Sequence, residues 1–226
     1  MRVPLIIWIA TWIQLLPPMV AARRWRRLDA AHRGVLVWFL MLVSMDLGQY
    51  LWSRVLHLGS NIILEYAYTP LQGALILWAL AEWQVHPVAR STVRICIPLG
   101  LAWWAATTAF FEDTSNFSVL SSPVLSLLAL AAALLAFVMR SQAEDEVPVL
   151  RSSWAWILAG IAVHFATNGT ISIFQAVVTA RQDWVMLERA LRYKAAIDIF
   201  ATLCITGGFL WPTPPRSSGA SSSPAR

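Results

Sequence analysis

Three carboxylates, one histidine and the chain's only lysine (Asp46, Glu65, Asp198, His164 and Lys194) fall within stretches apolar enough to cross a bilayer. Groups of these types can pair with a charged ligand, exchange protons, or relay them through the imidazole. A charge at membrane depth costs a few kcal/mol or more, so such residues face a bundle interior or a watery cavity. Polar neighbours recur around them at helical spacing. Asn61, Glu65, Tyr68 and Gln72 are four, three and four residues apart, which places them on one helix face. His164, Asn168 and Gln175 repeat the theme with Thr167 and Ser172, and Asp46 is followed by Gln49, Tyr50 and Ser53. Thr11 and Gln14 add polarity nearer the N-terminus.

The pairs Glu188 with Arg192 and Lys194 with Asp198 are each four residues apart, so each could neutralise itself within one helix. Asp46 and Glu65 have no cation at such spacing, which suits them to proton exchange or to ligand-coupled protonation. No His-x-x-x-His, Cys-x-x-Cys or Asp-x-x-x-His spacing occurs, so no metal and no cofactor are expected. Cys96 and Cys204 lie in apolar runs and read as packing residues. No nucleophile–base set stands at recognisable spacing, and an enzyme is not the expected class.

The elements that must position these groups are membrane helices. Of 226 residues, 58% are hydrophobic and 13% charged, too little polar surface for a soluble domain of this length. Crossing about 30 Å of hydrocarbon takes about 20 helical residues. Seven windows qualify, at 3–22, 35–55, 60–84, 93–112, 118–139, 154–179 and 187–211. The apolar runs lack the alternation of a membrane barrel, so the fold class is all-α: a polytopic seven-transmembrane-helix bundle. Pro17-Pro18 should distort the end of the first helix and Pro70 should kink the third, freeing the Tyr66 carbonyl beside Glu65.

Arginine placement orients the bundle. Arg23, Arg24, Arg26, Arg27, Arg33, Arg90, Arg94, Arg140, Arg151, Arg216 and Arg226 put eleven basic residues on one side. Arg2, Arg54, Arg181, Arg189, Arg192 and Lys194 put six on the other. The positive-inside rule then sets the N-terminus outside and the C-terminus in the cytoplasm. This accounts for the net charge of +5 without nucleic acid as a partner; the lipid bilayer is the expected one. Arg2, a short apolar core and Val20-Ala21-Ala22 also fit a cleaved signal peptide, but the Arg23–Arg27 run would then have to be translocated. An uncleaved first helix is the expectation.

Residues 212–226, rich in Pro, Ser, Gly and Ala, read as a disordered cytoplasmic tail, and Glu144-Asp145-Glu146 as a solvated acidic turn. Trp83, Trp154, Trp156, Trp184 and Trp211 near span ends read as interface anchors, and Trp103 and Trp104 as bundle residues.

With this orientation, Gln49, Asn61, Glu65, Tyr68, Asn168, Ser172, Gln175 and Lys194 fall in the outer halves of their helices, and the cytoplasmic halves are almost purely apolar. The implied geometry is a pocket open to the extracytoplasmic side and closed below.

The run Asn61-Ile-Ile-Leu-Glu65-Tyr66-Ala-Tyr68-Thr69-Pro70-Leu-Gln72 resembles a segment of uncharacterised bacterial seven-helix integral membrane proteins. In those an Asn precedes a Tyr-x-x-Tyr-Thr-like stretch and an acidic residue often follows; here Gln72 stands near that place and Glu65 lies upstream. The resemblance covers about a dozen residues and the helix count. It implies a seven-helix protein of the bacterial inner membrane and brings no activity.

Two functions remain: a module that binds or senses a small-molecule ligand, and a proton-coupled small-solute transporter in which Asp46, Glu65 or Asp198 titrates. A structural subunit of a membrane complex is a third. A retinal protein needs its lysine near mid-helix, whereas Lys194 lies roughly 9–16 Å from the start of its helix at about 1.5 Å per residue. A three-plus-one-plus-three sugar-type transporter fits the helix count, but its proline-glutamine pair is missing. The apolar cytoplasmic halves favour binding over transport.

Overall fold

The computed structural model describes residues 4–57, 61–143 and 148–211. The acidic turn at 144–146, the tail from residue 212, Arg2 and the Arg54 side chain lie outside the described residues. All regular structure among the described residues is helical. Helix α1 (Leu5–Ala22) is followed by α2 (Ala30–Tyr50), α3 (Ile62–Trp83), α4 (Pro87–Phe110), α5 (Ser121–Ala143), α6 (Ser153–Ala180) and α7 (Trp184–Leu210).

All except α3 are long and apolar enough to cross a bilayer, which makes the chain a multi-pass helical membrane protein. The polar run Glu65–Gln72 lowers the hydropathy of α3, and its position explains why that is tolerable. It sits between α2, α4 and α5, and Ile76, Leu77, Ala79, Leu80 and Ala81 are almost wholly buried. The large residues it leaves exposed, Ile63, Leu71 and Trp78, are apolar.

The helices form a ring of six, α1–α2–α3–α5–α6–α7, closed by α1 against α7, with α4 packed outside on α3 and α5. Trp103 of α4 is exposed for that reason, not packed within the bundle as its sequence context implies. Helix α1 breaks at Gln14–Leu15 and resumes at Leu16. Pro17 and Pro18 cannot donate to the carbonyls four residues earlier, so the break falls one turn upstream of them. Pro70 lies inside α3, which continues through it. At the end of α2, Leu51–Val55 form a π-turn.

Close approach between α6 and α7 depends on two glycines. A Cβ on Gly160 would stand 2.6 Å from the Ala201 carbonyl, and one on Gly208 would stand 2.7 Å from the Ser153 carbonyl. Small residues let backbones meet where lipid supplies no hydrophobic drive for helix association.

The arginine-rich end is less apolar than the sequence implies. Asp29 caps α2, accepting from the His32 backbone N–H at 2.9 Å and from its ring Nδ1 at 2.7 Å. His32 Nε2 lies 3.1 Å from Ser153 Oγ, whose hydroxyl donates to the Gly208 carbonyl at 2.7 Å. This clamp joins α2, α6 and α7. Arginines satisfy helix-end carbonyls nearby: Arg24 donates to Phe209 and Leu210, Arg140 to Trp83, and Arg90 to Gln84. Trp83 and Trp154 are buried in this layer and do not serve as interface anchors, whereas Trp184 and Trp211 are exposed.

Burial alone would raise the Asp29 carboxyl, but the hydrogen bonds and charge of His32, with a smaller contribution from Arg140, hold it at about 2. Its stabilisation is therefore complete above the ordinary aspartate value of 3.8 and disappears as pH falls through about 2. In Asp29→Ala that acid-sensitive contribution should be missing and unfolding should cost about 1 kcal/mol less, read from thermal melts between pH 2 and 6 in detergent. The glycine contact gives a second test. Gly208→Ala should destabilise by about 1–3 kcal/mol through forced helix separation. The adjacent Gly207→Ala, whose Cβ would meet nothing within 4 Å, should leave the melting temperature unchanged or slightly raised.

Candidate functional site

Inside the ring, away from the arginine-rich end, the helices enclose a recess of about 310 Å³. Helix α1 turns Thr11 and Gln14 into it, and α2 adds Asp46 and Gln49. From α3 come Glu65, Thr69 and Gln72; from α6, His164, Asn168, Ser172 and Gln175; from α7, Lys194 and Asp198. Ser122 of α5 and Phe117 of the α4–α5 loop complete the polar and aromatic lining, between apolar patches from Leu42, Met45, Ile171 and Leu191. Helix α4 contributes nothing to it.

One hydrogen-bonded chain crosses the recess from α7 to α6. Lys194 Nζ donates to Asp198 Oδ2 at 2.6 Å, Asp198 Oδ1 lies 3.0 Å from His164 Nδ1, and His164 Nε2 lies 3.0 Å from Asn168 Nδ2. The Lys194–Asp198 pair does neutralise itself within one helix, but the second carboxylate oxygen is committed to another. With Nδ1–H donating to Asp198, Nε2 is free to accept from the Asn168 amide. If Nε2 gains a proton, rotation of the carboxamide presents Oδ1 as its acceptor. The imidazole is held by ring edges of Trp38 and Phe165, with centroids 5.2 and 5.1 Å away.

The other two carboxylates have no cation bonded to them among the described residues. Asp46 is held by neutral groups, the Thr11 hydroxyl and Gln14 Nε2 at 3.4 Å. Among the described residues, no hydrogen-bond partner of the Glu65 carboxylate is present, and the nearby Thr69 hydroxyl donates to the Glu65 backbone carbonyl instead, at 2.7 Å. Gln175 is only 7% exposed yet its carboxamide has no partner among the described residues. Below His164 and Asp198 the recess narrows to a void of about 10 Å³, the size of one water molecule. Trp38 Nε1 and Gln14 Oε1, a buried donor and a buried acceptor without partners among the described residues, belong to the side chains around it.

Glu112 builds the rim. Its carboxylate accepts from the backbone N–H groups of Val119, Leu120 and Ser121 and from the Ser118 and Ser121 hydroxyls, capping the start of α5. Burial works to raise this carboxyl, but those donors outweigh it and hold it below the ordinary glutamate range. The capped loop carries Phe117.

Nine of the eleven sequence-selected residues line the recess: Asp46, Gln49, Glu65, Gln72, His164, Asn168, Gln175, Lys194 and Asp198. Asn61 and Tyr68 do not. Asn61 precedes the first residue of α3 with non-helical dihedrals, so the helical spacing does not extend to it. Tyr68 reaches toward α2, its hydroxyl within 3.7 Å of where a Cβ on Gly48 would stand. Phe117 and the role of Glu112 have no signal in spacing, because both depend on a loop. Among the described residues no group of His, Cys, Asp or Glu is arranged to hold a metal ion.

Comparison with known proteins gives no match to a family model, to a curated protein or to a solved structure. The likeness of the Asn61–Gln72 segment therefore carries no functional argument, and the site is read from its own chemistry.

Asp198 is the group whose loss the network tolerates least. Asp198→Asn leaves Lys194 and His164 without their shared carboxylate. It should destabilise the protein by about 3 kcal/mol, the low end for a broken buried pair because Lys194 is partly exposed. Lys194→Met combined with Asp198→Asn should cost less than the two single changes added together, as a double-mutant cycle of detergent melts would read.

Proposed function

We propose that this chain is a seven-span protein of a bacterial inner membrane, N-terminus outside and C-terminus in the cytoplasm. Its recess opens to the extracytoplasmic side and serves to bind or sense a small molecule. The observation that carries this reading is convergence: five helices send ionisable or amide side chains, and a sixth a hydroxyl, into one volume. Sites of this kind, concave, partly apolar and with a few convergent polar groups, are the usual form of a ligand pocket. Ligand contact with six helices at once also gives occupancy a mechanical route to the opposite face.

The orientation rests on the arginines. They concentrate at the closed end, where Arg24, Arg90 and Arg140 are built into the helix termini. Helix α3 counts as a span on length, since its 22 residues cover roughly 33 Å at about 1.5 Å each.

Binding is favoured over transport by the floor. Trp38, Phe39, Ile76, Leu80, Ile161 and Ile205 are each exposed by 2% or less, and a solute path would have to part them. A proton-coupled transporter is the second reading, supported by the Lys194–Asp198–His164–Asn168 chain, whose imidazole can take up a proton at one nitrogen and release one at the other.

Single cysteines in a Cys96→Ala, Cys204→Ala background test the placement. Gln72→Cys and His57→Cys should react with a membrane-impermeant cationic thiol reagent added outside intact cells, and Arg26→Cys should not. Reaction of Arg26→Cys from outside, or failure of Gln72→Cys to react there, would refute the outward recess. In proteoliposomes the protein should pass no protons; a proton flux abolished by Glu65→Gln would replace binding with transport.

A further inference from the structure

The recess has the wrong charge balance to be satisfied by its own side chains. Asp46, Glu65 and Asp198 face it with Lys194 as the one permanent cation among the described residues, and Lys194 is committed to Asp198 at 2.6 Å. His164 leans on the same carboxylate. Asp46 is left with two neutral donors and Glu65 with no hydrogen-bond partner among the described residues. Gln14 uses its amide nitrogen on Asp46, which leaves its acceptor Oε1 buried and unpaired among the described residues. Two carboxylates that share the recess with no cation bonded to them among the described residues call for a ligand that brings positive charge and N–H donors.

We propose that the ligand of this recess is a small protonated organic amine, with its ammonium between Asp46 and Glu65 and its carbon skeleton against Leu42, Met45, Ile171 and Leu191. This rests on the recess reading above and names its ligand class. An inorganic cation fits less well, because the described carboxylates are not gathered as metal ligands and much of the wall is hydrocarbon. Phe117 at the rim offers a ring face to the passing cation. Anionic solutes of the same size are repelled by the carboxylates, and neutral ones bring donors but no charge to set against them.

The test uses the Gln72→Cys protein and two membrane-impermeant methanethiosulfonates, one carrying a trimethylammonium and one a sulfonate. The cationic reagent should react faster by about tenfold or more, after normalisation to the same ratio at His57→Cys. The preference should shrink severalfold when Asp46→Asn or Glu65→Gln is added. Independently, butylammonium should raise the melting temperature of the purified wild-type protein in detergent in a concentration-dependent way, whereas butyramide and butyrate should not. That stabilisation should be lost in Glu65→Gln, whose folding is checked by its own melt. Charge-blind labelling, or equal stabilisation by butyramide, overturns the amine assignment and leaves the recess intact. If neither reagent reaches Gln72→Cys from outside, the recess reading itself fails.

Discussion

The facing of α6 on α7 is organised by the need to neutralise a carboxylate at membrane depth. Asp198 meets that need with two partners at once, giving one oxygen to Lys194 on its own helix and the other to His164 on the neighbouring one. Because the second bond crosses between α7 and α6, the pairing fixes how those helices face each other as well as cancelling charge. Gly160 and Gly208 then let the same two backbones meet closely toward the other end. A polar contact at one depth and small residues at another define the α6–α7 interface along its length.

The two halves of the bundle differ in kind. At the arginine-rich end, large side chains such as Trp38, Trp83, Phe39 and Ile157 fill the interior. Asp29, His32 and Ser153 hydrogen-bond to one another or to the backbone and Gln84 Nε2 donates to the Ala132 carbonyl, while Gln84 Oε1 and the Trp38 and Trp83 indole nitrogens have no partner among the described residues. At the other end the interior is left open and its polar groups are incompletely matched. A densely filled base beneath an open, polar-lined cavity is the arrangement in which a bound molecule completes what the protein leaves unfinished.

Much of this can be read from the chain, and the failures have physical causes. Hydropathy and length locate each helix among the described residues, but α2 starts five and α4 six residues before its window, because the polar and arginine-bearing first turns lower the local hydropathy. Helical spacing brings Glu65 and Gln72 together, and His164, Asn168 and Gln175, because those residues lie within uninterrupted turns. It fails for Asn61, which precedes the helix, and for Tyr68, whose long side chain is drawn toward the space above Gly48. The apolar reading of the arginine-rich half misses the Asp29–His32–Ser153 clamp: Asp29 and His32 are three apart across a helix cap, and Ser153 is 121 residues from His32. Glu112 sits at the end of an apolar window, and only the three-dimensional loop reveals it as the cap of the next helix.

The π-turn at Leu51–Val55 separates two tasks that a regular helix would couple. Every α2 residue that faces the recess, from Leu42 to Gln49, lies before it. In an unbroken α-helix, adding or deleting one residue swings everything beyond it by about 100°. Here the widened turn already absorbs one such irregularity, outside the register that aims Asp46 and Gln49. The outer connection to α3 can thus vary in length between related chains while the recess keeps its geometry, so divergence should concentrate past position 50 and spare the helix before it.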